Sequence, residues 1–343
     1  MDITKLQKII NSAIDNKKVY GTVVTISKDR EQWTGSAGNF INNQLYFIAS
    51  TTKIYVSALI FNLEIQGKLN IHDTISNYLS VETMKDLHVY KGIDYSSKIS
   101  IKHLLSQTSG LPNYFEDKNE QGQILLKELT LGNDLAWTPE EAINLSKKMK
   151  PVFVPGTKGK AHYSDTNFQL LGLIIENITG KPIAQALHDI IFEPLRLNNT
   201  YLYTDSTDKK PTTIYYKNQP LHIEKAMTSF GADGGIVSTA EESMIFLKAF
   251  FNGHFFPKEV LSNLYEWNNI MFPLQYGTGI MRFKLPRFLS PFKAMPELIG
   301  HSGLSGAFSY YCPQKNTYIA GTVNQIHSPN ISYKLILQLL DVE

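Results

Sequence analysis

The N-terminal residues carry apolar side chains at the spacing of an amphipathic helix. The positions that set this spacing are Ile3, Leu6, Ile9, Ile10 and Ile14. Two strand-like segments follow at 20–28 and 31–38, the first rich in Val and Thr, with a polar turn at 28–31 between them. From Ser50 to Gly67 the apolar residues return to helical spacing, which predicts a second helix.

The middle of the chain is dominated by helix signals. Thr138, Pro139 and Glu141 have the order of a helix start, with a capping hydroxyl, a proline in the first turn and an acid three residues after the cap. The segment 167–178 predicts another helix, closed by Gly180. Near the C-terminus, 306–312 and 317–323 predict a strand pair and 331–340 a final helix.

Strands therefore occur at both ends of the sequence, with helices between them. This order predicts an α/β fold with one mostly antiparallel sheet, built from both termini, flanked by helices and carrying an inserted helical lobe. We expect one catalytic unit over residues 1–343. Its α/β part is expected at 1–65 and 235–343, and its helical part at 66–234.

Composition is that of an ordinary soluble globular protein. Hydrophobic residues make up 43% of the 343 residues, charged residues 19%, and the formal net charge is +2. Without a clustered basic stripe, we expect no nucleic-acid partner. No apolar run approaches the ~18 residues of a membrane span, and the N-terminus has no signal-peptide core, so we expect a cytoplasmic protein. Cys312 is the single cysteine, and the histidines lack metal-ligand spacing, so neither metal nor cofactor is expected.

Ser50-Thr51-Thr52-Lys53 is the first motif with catalytic potential. On a helix, residues i and i+3 share a face with their Cβ atoms about 5–6 Å apart, so the lysine amine can reach the serine hydroxyl. A serine becomes a nucleophile when a neighbouring base removes its proton. Lysine can act as that base only if its surroundings lower its pKa, as desolvation or nearby positive charge does.

Two further motifs follow in the chain. One is Tyr163-Ser164-Asp165, and the other is Gly300-His301-Ser302-Gly303, just before the C-terminal strand pair. Each motif by itself is weak evidence for catalysis, because a tyrosine before a helix usually packs against the core and a histidine between glycines usually marks a turn. Their order after Ser50 and Lys53 makes the combination specific.

The three motifs resemble those of the serine β-lactamase and penicillin-binding protein superfamily. The similarity is greatest to the branch with class C β-lactamases, D,D-carboxypeptidases, D-aminopeptidases and related esterases. The family pattern is Ser-x-x-Lys, Tyr-x-Asn and Lys/His-x-Gly, and the segments 101–111 and 234–240 also look like the family. The resemblance extends from about residue 10 to residue 340.

The resemblance implies roles for individual residues. Ser50 would be the nucleophile, Lys53 its proton acceptor and Tyr163 a second general acid and base. The backbone N–H groups of Ser50 and Leu304 would bind the oxyanion. The strand after Gly303 would line the substrate, and His301, Ser302 and Gly303 would be further substrate-binding residues, with His301 where many relatives have lysine.

Asp165 departs from the family pattern, which has asparagine at this position. An ionised carboxylate accepts hydrogen bonds and cannot donate one to a substrate carbonyl. We expect Asp165 to pair with Lys53 and to raise the pKa of that lysine. This exchange disfavours recognition of β-lactams and of D-Ala-D-Ala amides.

The function expected from these residues is serine hydrolysis of esters or small D-amino-acid amides through an acyl-enzyme, with a small molecule as substrate. Two alternatives stay open: a D-Ala-D-Ala carboxypeptidase, penicillin-binding protein or β-lactamase, and a slow-turnover β-lactam-binding sensor. The nucleophile elbow of α/β-hydrolases is excluded, because its closing glycine is Leu304 here and no acidic residue lies between Ser302 and His327. The oligomeric state is left open.

Overall fold

The computed structural model describes residues 1–289, 295–327 and 330–342. In chain order the helices are α1 Ile3–Ala13, α2 Thr52–Ile65, α3 Val81–Met84, α4 Ile101–Leu105, α5 Leu125–Thr130, α6 Pro139–Lys147, α7 Asp165–Thr179, α8 Ile183–Leu187, α9 Glu224–Met227, α10 Ala240–Phe251, α11 Val260–Asn263 and α12 Asn330–Leu340.

The strands include several short pairs in addition to a large sheet. In chain order they are β1 Gly21–Lys28, β2 Glu31–Gly38, β3 Tyr46–Phe47, β4 Val89–Tyr90, β5 Ile93–Asp94, β6 Tyr201–Leu202, β7 Tyr215–Tyr216, β8 Gln219–Pro220, β9 Ile236–Ser238, β10 Asn268–Met271, β11 Leu274–Tyr276, β12 Met281–Phe283, β13 Leu298–Ser302, β14 Ala307–Cys312 and β15 Thr317–Thr322.

Within the described residues, the large sheet has eight strands in the order β10-β11-β12-β13-β14-β15-β1-β2. Every neighbouring pair is antiparallel, and β1 from the N-terminal region lies between β2 and β15, with Ile26 opposite Ile319. This confirms the predicted antiparallel sheet built from both termini. The strands β10 to β13 had no clear sequence signal, because they are only three to five residues long and mix polar with apolar positions.

Helices cover both faces of this sheet. On one face, α1 and α12 pack through Leu6, Ile10, Ile336 and Leu339. On the other, α10 packs against β14 and β15, where Phe251 contacts Tyr311 and Tyr318. The α/β part of the fold therefore consists of three layers, with the sheet between two layers of helices.

Helix α2 is buried on nearly all sides, from Thr52 to Phe61, and packs against α7, α8 and β13. The sequence predicted that this helix begins at Ser50. In the structure Ser50 lies in a 3-10 turn, Ala49–Thr51, and the α-helix begins at Thr52. Ala49 has a φ of 45°, an unusual backbone conformation for a non-glycine residue, directly before the predicted nucleophile.

The predicted helix starts in the middle of the chain are confirmed, with one shift. Thr138 and Glu141 form the reciprocal capping box at the start of α6. Helix α7 begins at Asp165 instead of residue 167, and ends where Gly180 adopts the left-handed conformation with φ 65°. In the described parts of the chain, no helix combines the length and the apolar composition needed to cross a bilayer.

Candidate active site

The turn that carries Ser50 lies against the end of β13. A Cβ atom on Gly303 would stand 2.6 Å from Ile48 O, 2.9 Å from Ala49 Cβ and 3.2 Å from Ser50 N. Gly303 therefore permits an approach between strand and turn that a larger residue would prevent. This contact brings the backbone at 303–304 beside the backbone N–H of Ser50.

Lys53 lies one helical turn after Ser50, and its side chain is fully buried. Its ammonium nitrogen Nζ donates to Ser50 Oγ at 3.0 Å and to the backbone carbonyl of Asp233 at 2.5 Å. The same nitrogen forms an ion pair with Asp165, 2.7 Å from Oδ1. The structure thus joins Ser50, Lys53 and Asp165, as the sequence predicted.

The charge on Lys53 follows from two opposing effects. Burial alone lowers the pKa of Lys53, because a low-dielectric surrounding disfavours the charged form. The ion pair with Asp165 acts in the opposite direction and prevails, so the pKa of Lys53 lies above its usual value. Lys53 is therefore an ammonium group at neutral pH in the resting protein.

Tyr163 lies just before α7, with its ring centroid 5.3 Å from Lys53 Nζ. Burial and the nearby Asp165 carboxylate raise the pKa of Tyr163 well above the usual tyrosine value, and a hydrogen bond with Ser50 opposes this shift. The phenol is therefore protonated at neutral pH. It lines the same cavity as Ser50, where it can hand a proton to a leaving group.

His301 is fully buried behind Lys53 and Tyr163. Its Nδ1 donates to the carbonyl of Ser302 at 2.7 Å, so its Nε2 accepts from the hydroxyl of Tyr276 at 3.1 Å. Burial and the neighbouring Lys53 charge lower the pKa of His301 to about 3. The imidazole is thus neutral and does not offer the positive charge that lysine gives many relatives.

Ser302 and Leu304 lie on different sides of the strand end. Ser302 Oγ is 2.8 Å from the hydroxyl of Tyr333 on α12, which turns it away from Ser50. Leu304 lines the cavity beside Ser50. The geometry supports Leu304 and Gly303 as active-site residues. The side chain of Ser302 instead lies between the sheet and α12, where it contacts Tyr333.

Three polar residues of this site were not identified from the sequence. Asp233, in the 3-10 turn before β9, is fully buried and accepts from Tyr114 and Gln169 at 2.8 and 2.9 Å. Burial, together with the nearby Asp165 carboxylate, raises the pKa of Asp233 well above its usual value. In the sequence, the feature that could have pointed to Asp233 is its position directly before the family-like segment 234–240, which begins with Gly234 and Gly235.

Glu116 and Asn113 are the other two, in the loop after the family-like segment 101–111. Asn113 Nδ2 lies 3.3 Å from Glu116 Oε2 and 3.3 Å from Asp165 Oδ2. Glu116 is an exposed residue, but desolvation by the surrounding wall and then the Asp165 carboxylate raise the pKa of its carboxyl group to about 7. Nothing in the local sequence marks this loop as catalytic, because its residues meet Asp165 only through the tertiary fold.

A cavity opens in front of Ser50, with about 630 Å³ of empty space that includes the open solvent at its mouth. Its wall has the ionisable residues Glu116, Tyr163, Asp165 and Asp233 and the hydroxyl residues Thr130 and Ser305, and among the described residues that line it none is Lys or Arg. Most of the wall is apolar, and is formed by Phe115, Leu126, Leu129, Ile214, Leu221, Ile223, Met227, Phe230, Leu304 and Ile326.

Comparison with known proteins agrees with this geometry. Over residues 6–341 the sequence matches the Beta-lactamase family. It is 27% identical to N-acetylmuramyl-L-alanine amidase of Bacillus subtilis (strain 168) over 322 residues, which cover 84% of this chain and 69% of that protein.

Two solved structures are similar over almost their whole length. The D-stereospecific amidohydrolase from Streptomyces sp. is 25% identical, with a TM-score of 0.78 and coverage of 97% of this chain and 98% of that chain. The D-amino acid amidase from Ochrobactrum anthropi SV3 is 20% identical, with a TM-score of 0.80 and coverage of 98% and 100%. The family match over nearly the entire chain confirms the resemblance and the fold class: this protein belongs to the Beta-lactamase family and is a serine hydrolase of the β-lactamase and penicillin-binding protein superfamily.

Proposed function

We propose that this protein hydrolyses small amides and esters of amino acids that carry a free α-amino group, through an acyl-enzyme on Ser50. The observation that carries the proposal is the Glu116 carboxyl group on the wall of a largely apolar cavity that also contains Ser50. Glu116 is exposed to solvent there, so its carboxylate can attract a cationic group on an incoming substrate. A substrate ammonium group is the partner that fits.

The charges of the described cavity residues support this choice. Lys53 is balanced by Asp165 in a direct ion pair, and burial raises the pKa of Asp233, which favours the neutral form of that carboxyl group. When Glu116 ionises, the site therefore has one negative charge without a partner. A substrate cation would satisfy this charge, and a substrate carboxylate would be repelled by it.

The apolar wall indicates the other feature of the acyl group. Ten apolar side chains line the cavity, so an apolar substrate side chain would find apolar contacts there. Complete burial of such a side chain contributes about 1.5–3 kcal/mol to binding. We therefore expect amino acids with large apolar side chains. The names of the structurally similar amidases favour the D-enantiomers.

The leaving-group side argues against the carboxypeptidase and β-lactamase alternatives. Those substrates carry a carboxylate next to the scissile bond, which a cation or a free hydroxyl would bind. Here His301 is buried and neutral, and Ser302 Oγ is hydrogen-bonded to Tyr333. Neutral leaving groups such as ammonia or a simple alcohol fit the site better.

The chemistry follows from the contacts around Ser50. Ser50 Oγ attacks the carbonyl carbon, and the negative oxygen that forms lies towards the backbone N–H groups of Ser50 and Leu304. The serine proton passes through Lys53 and Tyr163 to the leaving nitrogen or oxygen as the bond to carbon breaks. Water then attacks the acyl-enzyme and returns Ser50 to its resting form.

A turnover panel tests the proposal. It compares D- and L-phenylalanine amide, D-alanine amide, the matched amide without an amino group, a D-Ala-D-Ala peptide, a chromogenic cephalosporin and p-nitrophenyl esters. We expect the highest kcat/KM for D-phenylalanine amide among the amides. Preference for the D-Ala-D-Ala peptide or the cephalosporin would overturn the proposal, and an ester burst without steady turnover would indicate the sensor alternative.

A further inference from the structure

The resting contacts of Lys53 leave it unable to accept a proton. The charged amine donates to Ser50 Oγ itself at 3.0 Å and to the carbonyl of Asp233, and it is paired with the Asp165 carboxylate. An ammonium group has no lone pair, so Lys53 must lose one proton before it can take the proton of Ser50. Tyr163 is also protonated at rest, and cannot substitute as the base.

The ion pair that holds Lys53 charged is linked to the proposed substrate-binding carboxylate. The side-chain amide of Asn113 lies between them, 3.3 Å from Asp165 Oδ2 and 3.3 Å from Glu116 Oε2. Its orientation is fixed, because its Oδ1 accepts the backbone N–H of Phe115 at 3.0 Å. Glu116 and Asp165 are thus held within reach of a single amide group.

We propose that the substrate activates the base: its ammonium group, bound at Glu116 beside Asp165, competes with Lys53 for the same negative charge and so allows Lys53 to give up a proton. The proposal rests on the proposed function, in which Glu116 binds the substrate amine. The released proton passes to solvent at the cavity mouth. Neutral Lys53 then accepts the Ser50 proton while the bond from Oγ to the carbonyl carbon forms.

The other groups that face Lys53 do not supply this switch. Burial raises the pKa values of Asp233, Tyr163 and Tyr276, which favours their protonated forms, and His301 is neutral. Among the described residues around Lys53, Asp165 and Glu116 are therefore the carboxylates whose negative charge a substrate cation can offset. A charge within ~4–6 Å of an ionisable group shifts its pKa by about 1–3 units, which changes the neutral fraction of Lys53 about tenfold or more.

The test compares two matched substrates, D-phenylalanine p-nitroanilide and 3-phenylpropionyl p-nitroanilide, which differ by the amino group. Single-turnover acylation is measured at saturating substrate between pH 5 and 9, and each rate is divided by the hydroxide-catalysed rate of the same anilide. We expect the amino substrate to acylate at least about tenfold faster at pH 7, where Glu116 is partly ionised, with the acidic limb of its profile about one pH unit lower. Equal normalised rates and coincident limbs would overturn the inference.

Glu116→Gln is the key variant, because it keeps the size of the side chain and removes its charge. We expect the two substrates to acylate Glu116→Gln at normalised rates within about twofold of each other. Glu140→Gln, the same change at an exposed residue on α6, should leave the difference intact.

The two proposals fail in different ways. If the unmodified protein binds the amino substrate more tightly but acylates at the same normalised rate, the substrate proposal stands and base activation is wrong. If it shows no preference for the amino substrate in affinity or in rate, the proposed function itself is wrong.

Discussion

Asp165 shows how a single residue changes the chemistry of a shared site. Its Oδ1 pairs with Lys53 at 2.7 Å, and its Oδ2 accepts from Asn113 at 3.3 Å. The family pattern has an amide at 165, and here the amide belongs to Asn113. The Asp165 carboxylate therefore accepts at this contact and the Asn113 amide donates, and this direction decides which residue type fits each position.

Exchanging these two residues tests that polarity. In Asp165→Asn, the new Nδ2 must face either Lys53 Nζ or Asn113 Nδ2, which places two donors together and costs about 1–3 kcal/mol of unfolding free energy. Asn113→Asp brings a carboxylate against two others. We expect the double variant to recover part of the loss, with a coupling energy of about 0.5–3 kcal/mol in urea unfolding. Strictly additive losses would show that the contact is unimportant.

Asp165→Asn has a second expected effect, on catalysis. Removal of the counter-charge lowers the pKa of Lys53, so the acidic limb of ester acylation should move to lower pH. An amide at 165 can also donate to a substrate carbonyl, and we expect cephalosporin turnover to rise relative to ester turnover. The measurement is the ratio of the two kcat/KM values; an unchanged or lower ratio would contradict this prediction.

Tyr163→Phe should reduce amide acylation more than activated-ester acylation. An amide nitrogen must be protonated before it leaves, whereas p-nitrophenolate leaves without help. General acid catalysis contributes ~10²–10⁴-fold, so the loss should be at least about tenfold larger for the amide. Single-turnover rates are required, because deacylation of the ester also uses Tyr163. Equal losses would assign Tyr163 a positioning role.

Ser50→Ala should abolish labelling by a fluorophosphonate and leave the fold intact. The substitution removes one hydrogen-bond acceptor of Lys53, which costs about 1 kcal/mol of stability. Intact-mass spectrometry and peptide mapping check the labelling, and circular dichroism checks the fold. An adduct on Ser302 or Ser109 in the unmodified protein would disprove the assignment of Ser50.

Among the elements, β13 has the largest influence on the site. Side chains alternate between the two faces of a strand. Ile299 packs with the α2 side of the sheet and His301 faces Lys53 there, whereas Leu298 packs with α1 and α12 and Ser302 bonds Tyr333. His301 and Ser302 therefore cannot both face the substrate, although the sequence motif suggested both.

Gly303→Ala tests the contact between β13 and the turn of Ser50. The new Cβ would stand 2.6 Å from Ile48 O, so strand and turn must separate. We expect at least about a tenfold loss in acylation with a stability cost of about 1–3 kcal/mol. Gly234→Ala, whose Cβ would meet nothing closer than 3.6 Å, should lose less of both. Similar losses for the two variants would argue against a special role for Gly303.

At the scale of the whole molecule, the cavity lies where the sheet, the helices α2 and α7, and the loop of Glu116 meet. The protein holds a carboxyl group at this junction although its surroundings disfavour the charge. The folded pKa of Glu116 is about 7, above the unfolded value of 4.5. Folded protein thus binds more protons than unfolded protein between these values, and its stability falls as pH rises through this range.

Glu116→Gln should therefore stabilise the protein at pH 8 more than at pH 4.5. The glutamine is neutral at both pH values, while the glutamate is charged in the folded protein only at pH 8. Thermal unfolding at the two pH values measures the difference. Binding of the amino substrate should also weaken as pH falls below about 7, since protonated Glu116 no longer attracts a cation. An equal effect of the substitution at both pH values would contradict the raised pKa.

The sequence by itself determined the fold class, the helix at Lys53, and the motif residues Ser50, Lys53, Tyr163 and Asp165. These depend on local spacing: a helical turn links Ser50 to Lys53, and capping residues mark helix starts. The pairing of Asp165 with Lys53 was also predictable, because opposite charges attract in a buried site. The chain order of the motifs predicted the family that the comparisons show.

Only the tertiary structure decided the surroundings of these residues. Asn113, Glu116 and Asp233 join the site from segments that are far from Ser50 in sequence, and no local pattern encodes such contacts. Burial likewise decided that His301 is neutral, because the cost of a charge depends on the groups packed around it and not on neighbours in the chain. Sequence spacing fixes which residues share a turn or a strand face, whereas packing between distant segments sets their charge and the shape of the cavity.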